Sequence, residues 1–118
     1  MKAAALLFAG LMITGDALAT GAIAVDKADG TRKPAYGFSI NQPSRQRAEA
    51  VATDFCRRAG GANCQPIVWF ETCGAYANST RYYGYGFGAT KAKATADALA
   101  MCARNSCEIV VAECERRR

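Results

Sequence analysis

Six cysteines carry most of the chain's chemical potential: Cys56, Cys64, Cys73, Cys102, Cys107 and Cys114. Their spacings are C-x7-C, C-x8-C, C-x4-C and C-x6-C. None is the C-x2-C of a zinc knuckle or a dithiol redox centre. The chain contains no histidine. That removes imidazole acid–base catalysis, Ser-His-Asp and Cys-His nucleophiles, and every zinc site built on imidazole. The sequence therefore assigns no catalytic residue, no metal site and no cofactor, and the cysteines are expected in disulfides.

Carboxylates remain as acid–base candidates, since a pair of them is what glycoside hydrolysis requires. They are Asp26, Asp29, Asp54, Glu71, Asp97, Glu108, Glu113 and Glu115. Asp26 and Asp29 read as turn residues, and Asp54 and Asp97 lie among charged helix neighbours. Glu71 stands apart, between Phe70 and Thr72-Cys73, where alternation puts it on the side of Trp69; a solvated strand face is the simpler account. The run Tyr82 to Gly88, YYGYGFG, has the aromatic content of a base-stacking surface. Its glycines at 84, 86 and 88 also resemble half a phosphate loop, but the full fingerprint and its acidic ribose partner are missing, which argues against a dinucleotide. The favoured account is structural: Tyr83, Tyr85 and Phe87 fill one sheet face while the glycines let a helix lie close on the other.

Basic residues repeat in a pattern. Arg45 and Arg47 open one expected helix, and Lys91 and Lys93 open a second at matching places. Exposed cations there oppose the helix dipole by about 0.3–1 kcal/mol each. Together with free amides they make two candidate anion sites, extended by Arg116, Arg117 and Arg118; plain solvated charge is the alternative. With 15 basic and 10 acidic residues the net charge is +5. This favours acidic partners without specifying nucleic acid.

The elements that position these residues begin after a leader. Residues 1–19 read as a signal peptide: Lys2 gives the positive start, Ala3 to Ile13 the apolar run, and Ala17-Leu18-Ala19 the cleavage site. The run is broken by Gly10, Gly15 and Asp16, short of the roughly 20 apolar residues of a membrane span. No later run is longer, so no transmembrane segment is expected in the mature form. Residues 20–118 are expected as a single disulfide-rich domain, exported to the periplasm or beyond the cell, small enough to need covalent staples.

Within it, Gly21 to Val25 and Ala35 to Ile40 have strand character. Ser44 is the expected N-cap of a helix whose apolar stripe is Ala48, Val51, Ala52, Phe55 and Ala59, ended by Gly60-Gly61. Residues 66 to 78 are a β-branched and aromatic seam, expected as two strands or one bent strand. Tyr82 to Gly88 follows as a strand, Thr90 caps a helix to about Arg104, and Cys107 to Glu115 is the last strand.

The two halves correspond, about 21–73 and 74–114. Gly21-Ala22-Ile23-Ala24 matches Gly74-Ala75-Tyr76-Ala77, and Tyr36-Gly37-Phe38 matches Tyr85-Gly86-Phe87. At a constant offset of 46, Ser44, Ala48, Ala52 and Cys56 match Thr90, Ala94, Ala98 and Cys102. Each helix end is then near a local clip, Cys56 to Cys64 and Cys102 to Cys107. The remaining Cys73 and Cys114 are equivalent, and bonding them is expected to join the halves across a pseudo-twofold axis. Loop entropy assigns about 2 to 3 kcal/mol to each short clip and about 4 to the longer link.

These residues resemble a bacterial family of exported domains of unknown function. The shared elements are Gly21 to Ala24, the helix segment Ala48-Glu49-Ala50-Val51-Ala52 with Cys56, then Cys64, Ile67-Val68, and Cys73-Gly74-Ala75-Tyr76-Ala77. The chain departs from the pattern at Gly74, where alanine is usual, and at Thr95, where the first helix has Glu49. The resemblance implies a small α+β domain of secreted, periplasmic or envelope proteins, some of which meet host or rival cells, and no agreed catalysis.

The expected architecture is α+β: two helices packed on a mainly antiparallel sheet, internally duplicated and disulfide-stapled. The expected function is a non-enzymatic interaction protein of the envelope or secretome, such as an effector or an inhibitor of a toxin or hydrolase. Its partner is an unknown protein or an anionic envelope component. The alternatives are a small carboxylate-dependent hydrolase and a basic binder of anions, nucleic acid or membrane surfaces, with nucleic acid disfavoured.

Overall fold

A computed structural model describes residues 19–26 and 33–116. The leader apart from Ala19, the Asp29-Gly30 turn, and Arg117 and Arg118 lie outside the described residues. The elements are β1 (Thr20–Asp26), β2 (Tyr36–Gln42), α1 (Arg45–Arg58), β3 (Cys64–Phe70), β4 (Cys73–Asn78), β5 (Tyr83–Gly88), α2 (Lys91–Cys102) and β6 (Glu108–Cys114). The seam is thus two strands, β3 and β4, parted at Glu71-Thr72. Every strand pairing is antiparallel, in the orders β2-β1-β3 and β5-β4-β6. Strands expected in one sheet divide into two, each with the first strand of its unit in the middle.

Alternation along the middle strands explains the layers. On β1, Ala22 and Ala24 face the buried Ala48, Ala52 and Cys56 of α1, while Ile23 and Val25 point the other way. On β4, Ala75 and Ala77 face Ala94, Ala98 and Cys102 of α2, and Tyr76 points away. Ile23, Val25, Val68, Phe70, Tyr76 and Val111 form the core between the sheets. The order of layers is therefore helix, sheet, sheet, helix, with β1 against β4 at the centre. Each fully buried Ile or Val in that core contributes about 1.5–3 kcal/mol relative to exposure.

Small residues set the helix-to-sheet distance. A Cβ at Gly86 would overlap the Ala94 carbonyl, and one at Gly37 would overlap the Ala52 carbonyl and the Cys56 amide. The helices therefore lie directly on β5 and β2. Phe70 works on the inner side in a similar way: its ring, 2% exposed, fills the space where a Cβ on Gly21 of one sheet or Gly74 of the other would stand. One aromatic ring thus wedges both sheets.

The helix starts follow from their caps. Ser44 Oγ accepts the Arg47 N–H at 3.1 Å, and Thr90 Oγ1 accepts the Lys93 N–H at 3.0 Å, each satisfying an otherwise unpaired first-turn amide. The helix ends differ. Gly60 turns the chain at φ 105° after α1, whereas Ala103 takes the left-handed conformation itself, at φ 58°, after α2.

The cysteines pair as Cys56–Cys64, Cys102–Cys107 and Cys73–Cys114. The first two clip each helix end to the strand that follows. The third has a different role from the one expected of it. Cys73 opens β4 and lies directly opposite Cys114 of β6, with Cα atoms 4.0 Å apart, so it joins two strands of one sheet rather than two halves. The boundary between the units falls at Glu71-Thr72, ahead of Cys73, which moves that cysteine into the second unit. The link between units is made instead by the core and by Glu115, whose carboxylate accepts the Asn41 N–H of β2 at 2.8 Å.

Candidate functional site

The catalytic alternatives need side chains to converge. The helix carboxylates are tied to neighbouring bases instead, while the Glu115 N–H bond to the Thr72 carbonyl at 2.7 Å brings Glu115 to the neighbourhood of Glu71. Asp54 pairs with Arg58, Asp97 with Lys93 and Glu49 with Arg45, each an i,i+4 pair on a helix surface. Asp26 Oδ2 accepts the Ala62 N–H at 2.9 Å and braces a loop. Glu71 is exposed in the bend between β3 and β4, and Glu108 is exposed on β6. Glu115 is partly buried; burial raises its pKa above 4.5, a shift the Asn41 N–H opposes, and its Oε2 is buried with no partner among the described residues. Among the described residues no group of three or more His, Cys, Asp or Glu stands where it would hold a metal ion.

The basic candidates are separated. Arg45 and Arg47 begin the helix on one outer layer, and Lys91 and Lys93 begin the helix on the opposite one. Arg45 is committed to Glu49 at 2.9 Å and stands 5.1 Å over the Trp69 ring; Lys93 is committed to Asp97 at 2.7 Å. Arg47 and Lys91 form no ion pair among the described residues. Arg116 follows the last strand and is exposed.

A concave feature lies at the free edge of β2. A groove of about 700 Å³ is lined by Pro34, Ala35, Tyr36, Gly37, Phe38, Ile40 and Gln42 of the strand, with Phe55 and Ala59 of α1 as its lip. Its walls are mainly apolar, and Tyr36 and Phe55 are 38% and 46% exposed. The sequence places Phe55 and Ala59 on the buried stripe of α1, but the buried residues are Ala48, Ala52 and Cys56. The cause is the close seat on Gly37. A helix held that near the sheet admits only small side chains beneath it, so the phenylalanine is displaced over the strand edge. A phenylalanine among buried alanines is the signal that identifies it.

The glycine-rich strand β5 shows the expected division in part. Gly84 and Gly86 lie under α2, but the opposite face is only partly covered: Tyr85 is half-buried, whereas Tyr83 and Phe87 are 39% and 59% exposed. Tyr83 stacks on Tyr76 at 6.1 Å. Burial, with a smaller contribution from Tyr83, pushes the Tyr76 phenol up to about 12, against the opposing hydrogen bond from Asn78.

Fold and site together define a small α+β protein of two like-ordered units, held by three disulfides and carrying an apolar groove at one strand edge. The model of a domain of unknown function, DUF4189, matches residues 20–114, and the chain belongs to that family. No curated protein and no solved structure matches the chain. Among the described residues no helix is long and apolar enough to cross a membrane.

Proposed function

We propose that this chain is an exported, non-enzymatic interaction protein that holds a partner macromolecule in the groove between β2 and α1. The observation that carries the reading is Phe55, a large apolar side chain 46% exposed at the lip of a groove of about 700 Å³. Exposed apolar surface that borders a concavity marks interaction sites more often than scattered apolar residues do. Three disulfides support an oxidising compartment beyond the cytoplasm. Glu49, Asp54 and Asp97, each tied to a base on its own helix, weigh against the hydrolase alternative.

The test is capture of partners from envelope and extracellular fractions by the oxidised protein and two variants. Phe55→Glu is expected to lose the partner while keeping its three disulfides, and Glu71→Ala is expected to retain it. A partner held equally by Phe55→Glu would contradict the groove. Turnover of a glycan substrate lost in a folded Glu71→Ala variant would establish the hydrolase instead.

A further inference from the structure

Resting on the groove as the binding face, we propose that its occupant is an extended acidic peptide segment of another protein, which adds as a further strand to the free edge of β2. The backbone sets this up. Asp26 donates its N–H to the Ala35 carbonyl at 2.9 Å, and the register continues Val25–Tyr36, Ala24–Gly37, Ile23–Phe38. Hydrogen-bonded and non-hydrogen-bonded pairs alternate along an antiparallel ladder, so Tyr36 and Phe38 fall in non-hydrogen-bonded pairs. Their N–H and C=O groups therefore point away from β1, toward the groove. These are the groups an incoming strand uses, and the lining follows the strand almost residue by residue.

The second unit shows the same position already filled. Gly37 and Gly84 meet equivalent atoms of their helices, so Tyr85, opposite Tyr76, takes the place of Phe38, opposite Ile23, and its outward N–H donates to Met101 Sδ at 3.4 Å. The residue matching Met101 in α1 is Phe55, which offers no acceptor. Its ring carries the Arg58 guanidinium 5.5 Å away, and among the described residues the strand edge is left open. What a methionine sulfur supplies on β5, an external carbonyl supplies on β2.

Charge chooses among occupants. Helix α1 carries Arg45, Arg47, Arg57 and Arg58 against Glu49 and Asp54, and Lys33 precedes the lining Pro34. A second copy added edge to edge would set two such arginine-rich helices side by side. An acidic segment meets complementary charge.

The test uses a displayed library of random short peptides, selected on the oxidised protein. The enriched sequences are expected to be acidic with alternating apolar residues and to bind more weakly as salt rises. In the complex the Tyr36 and Phe38 amides become protected from hydrogen exchange. Tyr36→Pro removes an outward donor and spares the ladder, and is expected to weaken binding about tenfold. N-methylation of alternate peptide amides is expected to do the same without altering the protein, and Phe55→Glu to abolish binding. Strand addition is overturned if no peptides enrich, if they are basic or helical, or if a β2-mediated dimer that Phe55→Glu dissociates accounts for the site. Binding lost in Phe55→Glu but unchanged by Tyr36→Pro and by N-methylation, with no amide protection, overturns strand addition and leaves the groove as the interaction face.

Discussion

The two units share strand order, helix caps and a local helix clip, yet they treat their free edges in opposite ways. In the second, Met101 reaches down from α2 and takes the edge amide of Tyr85. In the first, Phe55 holds back from β2 and a groove opens beneath it. An unpaired strand edge is a template for association that proteins ordinarily cover or charge. A fold that closes one edge with its own side chain and, among the described residues, leaves the matching edge open has separated scaffold from binding surface by a single helix position.

The largest test of that division is the wedge both units share. Phe70→Ala is expected to cost about 3–5 kcal/mol in urea denaturation, because the ring fills space against both sheets and no side chain nearby replaces it. A loss below about 1 kcal/mol would mean that the sheets pack independently. Next in size are the clips. Removing Cys56–Cys64 or Cys102–Cys107 as paired alanines is expected to cost about 2 to 3 kcal/mol each. Nearly equal losses support like roles in the two units; a loss confined to one separates them.

A third comparison is chemical. The inter-sheet position on the middle strand is Ile23, opposite Phe38, in the first unit and Tyr76, opposite Tyr85, in the second. Because the folded pKa of Tyr76 lies above its usual 10.0, its stabilisation is complete below pH 10 and is lost as pH rises through about 12. The alkaline loss is on the order of 2 kcal/mol. Tyr76→Phe should flatten that limb of the stability curve, and an unchanged limb would place the titration elsewhere.

The smallest effect is at the bridge between units. Glu115 has a raised pKa, so its stabilisation is complete below 4.5 and is lost as pH rises through the folded value. Glu115→Gln keeps an acceptor for the Asn41 N–H without the partly buried charge. It is expected to raise the thermal midpoint slightly at neutral pH and to gain nothing at pH 4; a lowered midpoint at neutral pH would show that the charge itself holds Asn41.

Periodicity and punctuation made much of the fold legible. Ser44 and Thr90 cap their helices because a hydroxyl before an amphipathic run has one energetically useful place to go. The alanine and glycine repeats revealed two helices lying close to strands. Two features lay beyond that reading. The division into two sheets depends on Glu71-Thr72 redirecting the chain, and neither residue type marks such a corner. The groove depends on how near α1 sits to Gly37, a distance that reverses the expected burial of Phe55 and that helical periodicity alone does not contain. The basic helix starts were visible as residues, but their placement on opposite outer layers is a property of the packing.

Hydrogen exchange at two equivalent amides, Phe38 and Tyr85, measures the contrast directly. In the free protein the Tyr85 amide, bonded to Met101, should exchange more slowly than the Phe38 amide, and Met101→Ala should bring the two together. A Phe38 amide as protected as Tyr85 in the free protein would show that the β2 edge is already covered, contradicting the open groove.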